Sequence, residues 1–304
     1  MALFAMNTAV AEPASQIEAA AQAPGLSFSY INTGHSAGTQ ERMVVASGSW
    51  FTRRHLTHGA ILVQHPDGNF LYDTGLGQQV KSQFKENSWW ATLLFAHSAG
   101  TPVVEQLAEN GFDSKDLMAI IPSHLHWDHA SGIVDFPGVP VWIQQSELEM
   151  ALAGDAPSFL QSQLNDQQIN WKTISLQEKP FLGFSRSLDI FGDGSAVLVD
   201  LIGHTAGQVG LYLKLSDNRE YLFIGDTTWT LKGIIDQSPR PDLIKFVVNL
   251  EHDDKASDLQ IKKVHQLMVE RPKLTIVPAH DELSTAKLPL YPMFSNTAEP
   301  IAQR

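Results

Sequence analysis

The segment IIPSHLHWDHASG, Ile120 to Gly132, decides how the rest of this chain is read. It sets His124, His126, Asp128 and His129 side by side, directly after an apolar run. In an extended segment alternate side chains point the same way. His124, His126 and Asp128 can therefore converge, and His129 follows as the chain turns. Imidazole and carboxylate suit zinc, and also iron or manganese. One tetrahedral ion takes about four ligands, water included. Neighbours this close cannot all reach one centre, so the crowding points to two ions.

Further donors stand in matching contexts. His204 in LIGHTAGQ, Asp226 in FIGDTTW and His280 in IVPAHDE each follow an apolar, strand-like run. Taken singly, such residues read as turn residues or hydrogen-bonded core. Together with the loop they make seven candidate ligands, enough for two ions with positions left for water and substrate. His35, His55, His58, His65, His97, His252 and His265 have no such context.

Short β-rich runs begin at Leu26, and GAILVQ and NFLYDTG read as a hairpin turned at His65-Pro66-Asp67-Gly68. LMAIIPS, VPVWIQ, SAVLVDLIGHTAG, VGLYLKL, YLFIGDTTW and KLTIVPAHD read as further strands. Thr101-Pro102 opens a helix, Ser146 and Glu149 form a capping box for another, and Ser257 with Gln260 caps a third. That third helix carries Ile261, Val264, Leu267 and Met268 on one face. Residues 155–195 read as loop. Trp89, Trp90 and Leu93 to Phe95 read equally as core, as a substrate-facing lid or as an oligomer contact. The alternation predicts α/β architecture, sheets covered by helices, in one domain over residues 25–304.

Bulk composition narrows the functions. With 43% hydrophobic and 18% charged residues, the chain has the make-up of a soluble globular protein. A formal net charge of -12 and no Lys/Arg cluster disfavour nucleic acid as a partner. There is no cysteine, so neither disulfide, thiolate ligand nor thiol nucleophile is available. No apolar stretch approaches the roughly 20 residues of a membrane span. Residues 1–24 are set aside as an N-terminal tail. Ala9-Val10-Ala11 resembles an export cleavage site without the basic start, which favours a periplasmic or secreted location over an Ala-rich cytoplasmic tail.

The pattern His-x-His-x-Asp-His, then a lone His, a lone Asp and a lone His, resembles the metallo-β-lactamase superfamily from Leu26 to about His280. The resemblance implies an αβ/βα sandwich with two divalent ions, zinc first and iron, manganese or cobalt as alternatives. It implies that His124, His126 and His204 hold one ion, that Asp128, His129 and His280 hold the other, and that Asp226 bridges them. Asp73 in LYDTG matches the family's aspartate that steadies the histidine loop.

Two ions about 3.5–4 Å apart ready a bridging hydroxide near neutral pH and polarise an acyl or phosphoryl oxygen. Asp128 would then carry a proton to the leaving alkoxide. SHLHWDHASG and VWIQQSELEMA are most similar to acyl-homoserine-lactone lactonases, often homodimers, whose substrates are small lactones and esters. Those lactonases carry a tyrosine three residues after the bridging aspartate; here it is Trp229, with a single N–H donor. This departure implies an aromatic-lined pocket and keeps phosphotriesters as the second reading, ahead of thioesters and β-lactams. A metal-containing binding or sensor protein is the non-enzyme alternative.

Overall fold

The computed structural model of the protein describes residues 25–248 and 250–296. The expected tail or export signal at 1–24 lies outside them. In chain order the strands are β1 (Ser27–Ser36), β2 (Thr39–Gln40), β3 (Arg53–Arg54), β4 (Thr57–His65), β5 (Gly68–Tyr72), β6 (His97–Ala99), β7 (Leu117–Ile121), β8 (Pro140–Gln144), β9 (Asn170–Ile174), β10 (Ser187–Asp189), β11 (Ala196–Asp200), β12 (Val209–Lys214), β13 (Glu220–Phe223) and β14 (Leu274–Val277). One sheet runs β6-β1-β4-β5-β7-β8-β9, the other β10-β11-β12-β13-β14, and β2 pairs with β3 apart from both. Both sheets are mixed. The β4–β5 hairpin is antiparallel, with His65 opposite Gly68, whereas β5, β7, β8 and β9 run parallel. In the second sheet only the β13–β14 pair is parallel.

The strands are apolar on both faces, as strands covered on both sides must be. Phe70 and Tyr72 of β5 meet Leu198 of β11 and Leu211 of β12 between the sheets. Leu71, one residue over, turns the other way, onto Leu107 of the helix Val103–Glu109. On the far side Val197, Val199 and Leu222 pack against Ile261, Val264 and Leu267 of the helix Asp254–Glu270. Each such side chain contributes about 1.5–3 kcal/mol on full burial. Helix, sheet, sheet and helix stack in the expected αβ/βα sandwich.

The helix caps differ from expectation. Val103–Glu109 has Pro102 at its N-cap position, one residue later than expected. Asp253, not Ser257, caps Asp254–Glu270, accepting from the Lys255 and Ala256 amides. The helix Gln145–Ala153 starts before Ser146, whose hydroxyl donates instead to the Ala206 carbonyl. In both later cases a neighbouring segment claims the serine, so tertiary contact overrides the local signal. The stretch read as loop supplies β9 and β10, which lie at the outer edges of their sheets.

One consequence of this topology positions the chemistry. Strands β5, β7, β11, β13 and β14 all end at Tyr72, Ile121, Asp200, Phe223 and Val277, just before Asp73, His124, His204, Asp226 and His280. Carboxyl ends of strands are where open α/β sheets commonly bind ligands.

Candidate metal centre

Two sets of donors meet at that edge. His124, His126 and His204 bring one ring nitrogen each within 4.8 Å of one another. His204 Nε2 lies 2.9 Å from His126 Nδ1. In the second set His280 Nε2 lies 3.2 Å from His129 Nε2 and 3.4 Å from Asp128 Oδ2. Asp226 stands between the sets. Its Oδ1 is 3.0 Å from His280 Nε2 and 3.4 Å from His129 Nε2, while its Oδ2 is 3.5 Å from His204 Nε2. All seven residues singled out in the sequence are thus brought together. Six are buried, and Asp128 is partly open to a pocket.

Outer hydrogen bonds aim the inner nitrogens. His129 Nδ1 is 3.0 Å from Asp73 Oδ2, whose other oxygen accepts the Ser123 amide at 2.6 Å. Asp73 adopts φ 62°, a left-handed conformation uncommon for a non-glycine residue. His280 Nδ1 donates to the Thr57 carbonyl at 2.7 Å, and His124 Nδ1 lies 3.0 Å from the Ser123 hydroxyl. An imidazole that spends its Nδ1–H outward leaves Nε2 as a lone pair facing the centre.

Burial and the local charges pull the titrations apart. Burial pushes His124 and His126 well below the usual histidine range, and neighbouring histidines add to it. His129 is raised despite burial because Asp73, Asp226 and Asp128 surround it. Burial opposes ionisation of Asp226, yet His280 and His129 hold it well below the usual carboxylate range. His124 and His126 are thus held as neutral imidazoles beside an ionised Asp226, the forms that bind a divalent cation, whereas His129 and His280 would give up a proton to one.

The donors fit such ions. His124 Nε2 and Asp226 Oδ1 are buried without a hydrogen-bond partner among the described residues; Oδ1, though 3.0 Å from His280 Nε2, is out of line for one. Buried polar atoms carry a cost unless something pairs them. A cation between imidazole nitrogens and carboxylate oxygens would pair both.

Four residues of the site escaped the sequence reading. His58, on β4, puts Nδ1 3.2 Å from Asp128 Oδ2, close but out of hydrogen-bond alignment, and it groups with Asp128 and His280 as a possible cation set. Glu147, fully buried, accepts the Leu125 amide at 2.8 Å and the Gly207 amide at 2.9 Å, tying the histidine loop to the His204 loop. Glu251 lies 3.3 Å from His204 Nδ1, and Arg240 pairs with Glu251. Their partners are distant in the chain, so no local motif marks them. His252, beside Glu251, is exposed as expected; His265 is half-buried and bonded to the Ile234 carbonyl.

Trp229 does not aim its donor at the open space. Its Nε1–H donates to Asp226 Oδ2 at 2.7 Å. A cavity of about 520 Å³ opens over Asp128, Asp226 and His280. Its walls come from Trp89, Trp90 and Leu93 on one side and from Trp229, Ile244 and Val247 on the other. No Lys or Arg lines it among the described residues. Trp89 is 80% exposed and Leu93 73%, so this segment is rim and wall rather than core.

The profile of the metallo-beta-lactamase superfamily matches residues 56–280 of the chain. The chain belongs to the metallo-beta-lactamase superfamily. The matched span holds every candidate donor. Membership together with this donor set makes the protein a metal-dependent hydrolase. The chain is 23% identical over 244 residues to the N-acyl homoserine lactonase AttM of Rhizobium radiobacter, covering 77% of this chain and 85% of that protein. Its fold matches a solved N-acyl homoserine lactone hydrolase with N-hexanoyl-L-homoserine bound at the catalytic metal center, with a TM-score of 0.70, 20% identity, and 89% and 99% of the two chains covered. It also matches AidC, a dizinc quorum-quenching lactonase, with a TM-score of 0.57, 15% identity, and 89% and 90% covered.

Proposed function

We propose that this hydrolase opens lactones and cleaves carboxylic esters that are uncharged and carry a large apolar group. The observation that supports this best is the largely apolar cavity with no Lys or Arg among its described lining residues, set directly over a carboxylate that faces two donor sets. His124, His126 and His204 would hold one divalent ion and Asp128, His129 and His280 the other, with Asp226 between them. Zinc suits this set, and iron, manganese or cobalt would also. When bound, two such ions supply a water acidified toward neutral pH and a Lewis acid for the acyl oxygen.

The chain's own residues do the rest. The aromatic walls seat the apolar group and exclude water from the scissile bond. Asp128, partly open to the cavity, stands where a departing alkoxide needs a proton. Trp229 serves as wall. A carboxylate-bearing substrate, such as a β-lactam or a glutathione thioester, would lose hydration against these walls with no Lys or Arg among the described lining residues to pair it. The acyl-homoserine-lactone relatives support the lactone reading. A neutral phosphotriester also suits an uncharged aromatic cavity, which keeps it as the second reading.

The test is a panel of lactones, aryl esters, a paraoxon-like triester, a thioester and a cephalosporin, run on metal-loaded protein with and without chelator. Lactone or aryl ester should lead, and chelation should abolish turnover. A leading cephalosporin would overturn the reading of Asp226 and of the uncharged pocket. Two bound ions without turnover on any substrate would favour the binding or sensor alternative.

A further inference from the structure

We infer that Trp229, Arg240 and Glu251 form a bracket behind the metal centre that sets the direction of Asp226 and His204 together, so that Trp229 is a positioning residue for the shared carboxylate and not a donor to the substrate. The inference rests on the two-ion reading above.

An indole has one N–H. That of Trp229 is committed to Asp226 Oδ2, the oxygen on the His204 side. Asp226 turns Oδ1 toward His280 and His129 and Oδ2 toward His204, and rotation about its terminal bond would disturb both directions at once. The indole bond holds Oδ2 in place and thereby aims Oδ1 at His129 and His280.

The ring itself is held on two sides. It packs with Ile244, Val248 and Leu250, and the Arg240 guanidinium lies 5.2 Å from its centroid. Cations favour that approach to an aromatic face. Arg240 is 3% exposed; its Nε donates to Glu251 Oε1 at 2.7 Å and its Nη2 forms an ion pair with the same oxygen at 2.5 Å. The other oxygen, Oε2, accepts the Ser257 hydroxyl at 2.7 Å and lies 3.3 Å from His204 Nδ1. Arg240 Nη2 is also 3.0 Å from that Nδ1. A guanidinium only donates, and a nitrogen that took its proton would leave Nε2 protonated. The form suited to a cation at Nε2 is Nδ1–H donating to Glu251.

Backbone bonds close the bracket. The His252 amide donates to the His204 carbonyl and the Asp253 amide to Gly203, both at 2.9 Å, so the segment bearing Glu251 moves with the His204 loop. The path Asp226, Trp229, Arg240, Glu251 and His204 returns to Asp226 across 3.5 Å. One aromatic side chain thus serves as pocket wall and as strut of the centre.

The test uses purified full-length protein. Ion content is measured after dialysis against graded chelator, and the visible spectrum is recorded with cobalt loaded. Trp229→Phe keeps the ring and loses the N–H. It should weaken retention of at least one ion by about 10–100-fold and alter the cobalt spectrum. It should also lower kcat on an aryl ester. Glu251→Gln, which keeps the shape and removes the charge, should weaken one ion in the same way. It supplies the test if Trp229→Phe fails to fold. Trp229→Phe with both ions held as in the parent, an unchanged spectrum and lower kcat would overturn the inference and return the indole to the substrate. Unaltered retention in Glu251→Gln would overturn the bracket. Fewer than two ions in the parent would instead overturn the two-ion reading.

Discussion

In the proposed two-ion reading Asp226 is the residue on which the chemistry would turn, because its two oxygens face different neighbours. Asp226→Ala should remove hydrolysis and at least one ion; full activity with two ions, read by metal analysis, would refute the sharing. Asp73 acts one step out, through His129 Nδ1 and the Ser123 amide. Asp73→Asn should weaken metal retention by about 10–100-fold without touching an ion, and competition with a chromogenic chelator would measure it. Most of this was legible in the sequence. Asp128 and His129 stand beside the histidines that anchor the loop, and the distal donors each close an apolar strand. His58 was not legible. It lies within a strand, and only sheet pairing carries it to Asp128.

At the scale of elements, helix Gln145–Ala153 matters for the carboxylate it delivers. SELE suggests a capping box, yet Glu147 serves neither cap nor surface; it satisfies two buried amides on two different loops. Glu147→Ala should cost about 2–6 kcal/mol, at about 1–3 kcal/mol for each amide left unpaired. Urea unfolding of the loaded protein checks this, and a cost near zero would sink it. The 3-10 turn Ile133–Asp135 gives a pH signature. Burial lifts Asp135 to about 6, the Gln78 amide opposes this, and Glu105 adds to it. Its folded value lies above the ordinary 3.8, so the fold holds a proton that the unfolded chain releases. Stability from this group is full below about pH 4 and is lost as pH rises through about 6. Thermal midpoints of the parent should therefore drop relative to Asp135→Asn across that window, then run level. A constant gap would exclude the effect.

For the whole molecule, long-range charge pairing holds the site's outer edge. Arg54, 5% exposed, bonds Glu41, Asp281 and Glu282, joining the β2–β3 ribbon to the segment just after His280. Arg54→Ala would strand buried carboxylates and should cost about 3–5 kcal/mol, read as a fall in the denaturant midpoint. Ions held as proposed would tie the edges of both sheets in the same sense, since the candidate donors assemble only in the folded chain. An ion at 100 times its dissociation constant adds about 2.7 kcal/mol. Chelation should lower the melting temperature and added zinc should restore it; an unmoved melting temperature would count against a loaded centre.

By itself the sequence pointed to the layers, the strand ends and the seven candidate donors. Alternation of apolar residues and the chemistry of histidine and aspartate are local properties, readable along the chain. Tertiary structure alone decided where Trp229 sends its N–H, that Glu147 and Glu251 stand behind the histidines, and that the Trp89–Leu94 helix faces a cavity. Glu147 and Glu251 meet partners far away in sequence, and Trp229, though its acceptor is only three residues off, is aimed by its packing on Ile244, Val248 and Leu250; these contacts exist only once the chain has folded.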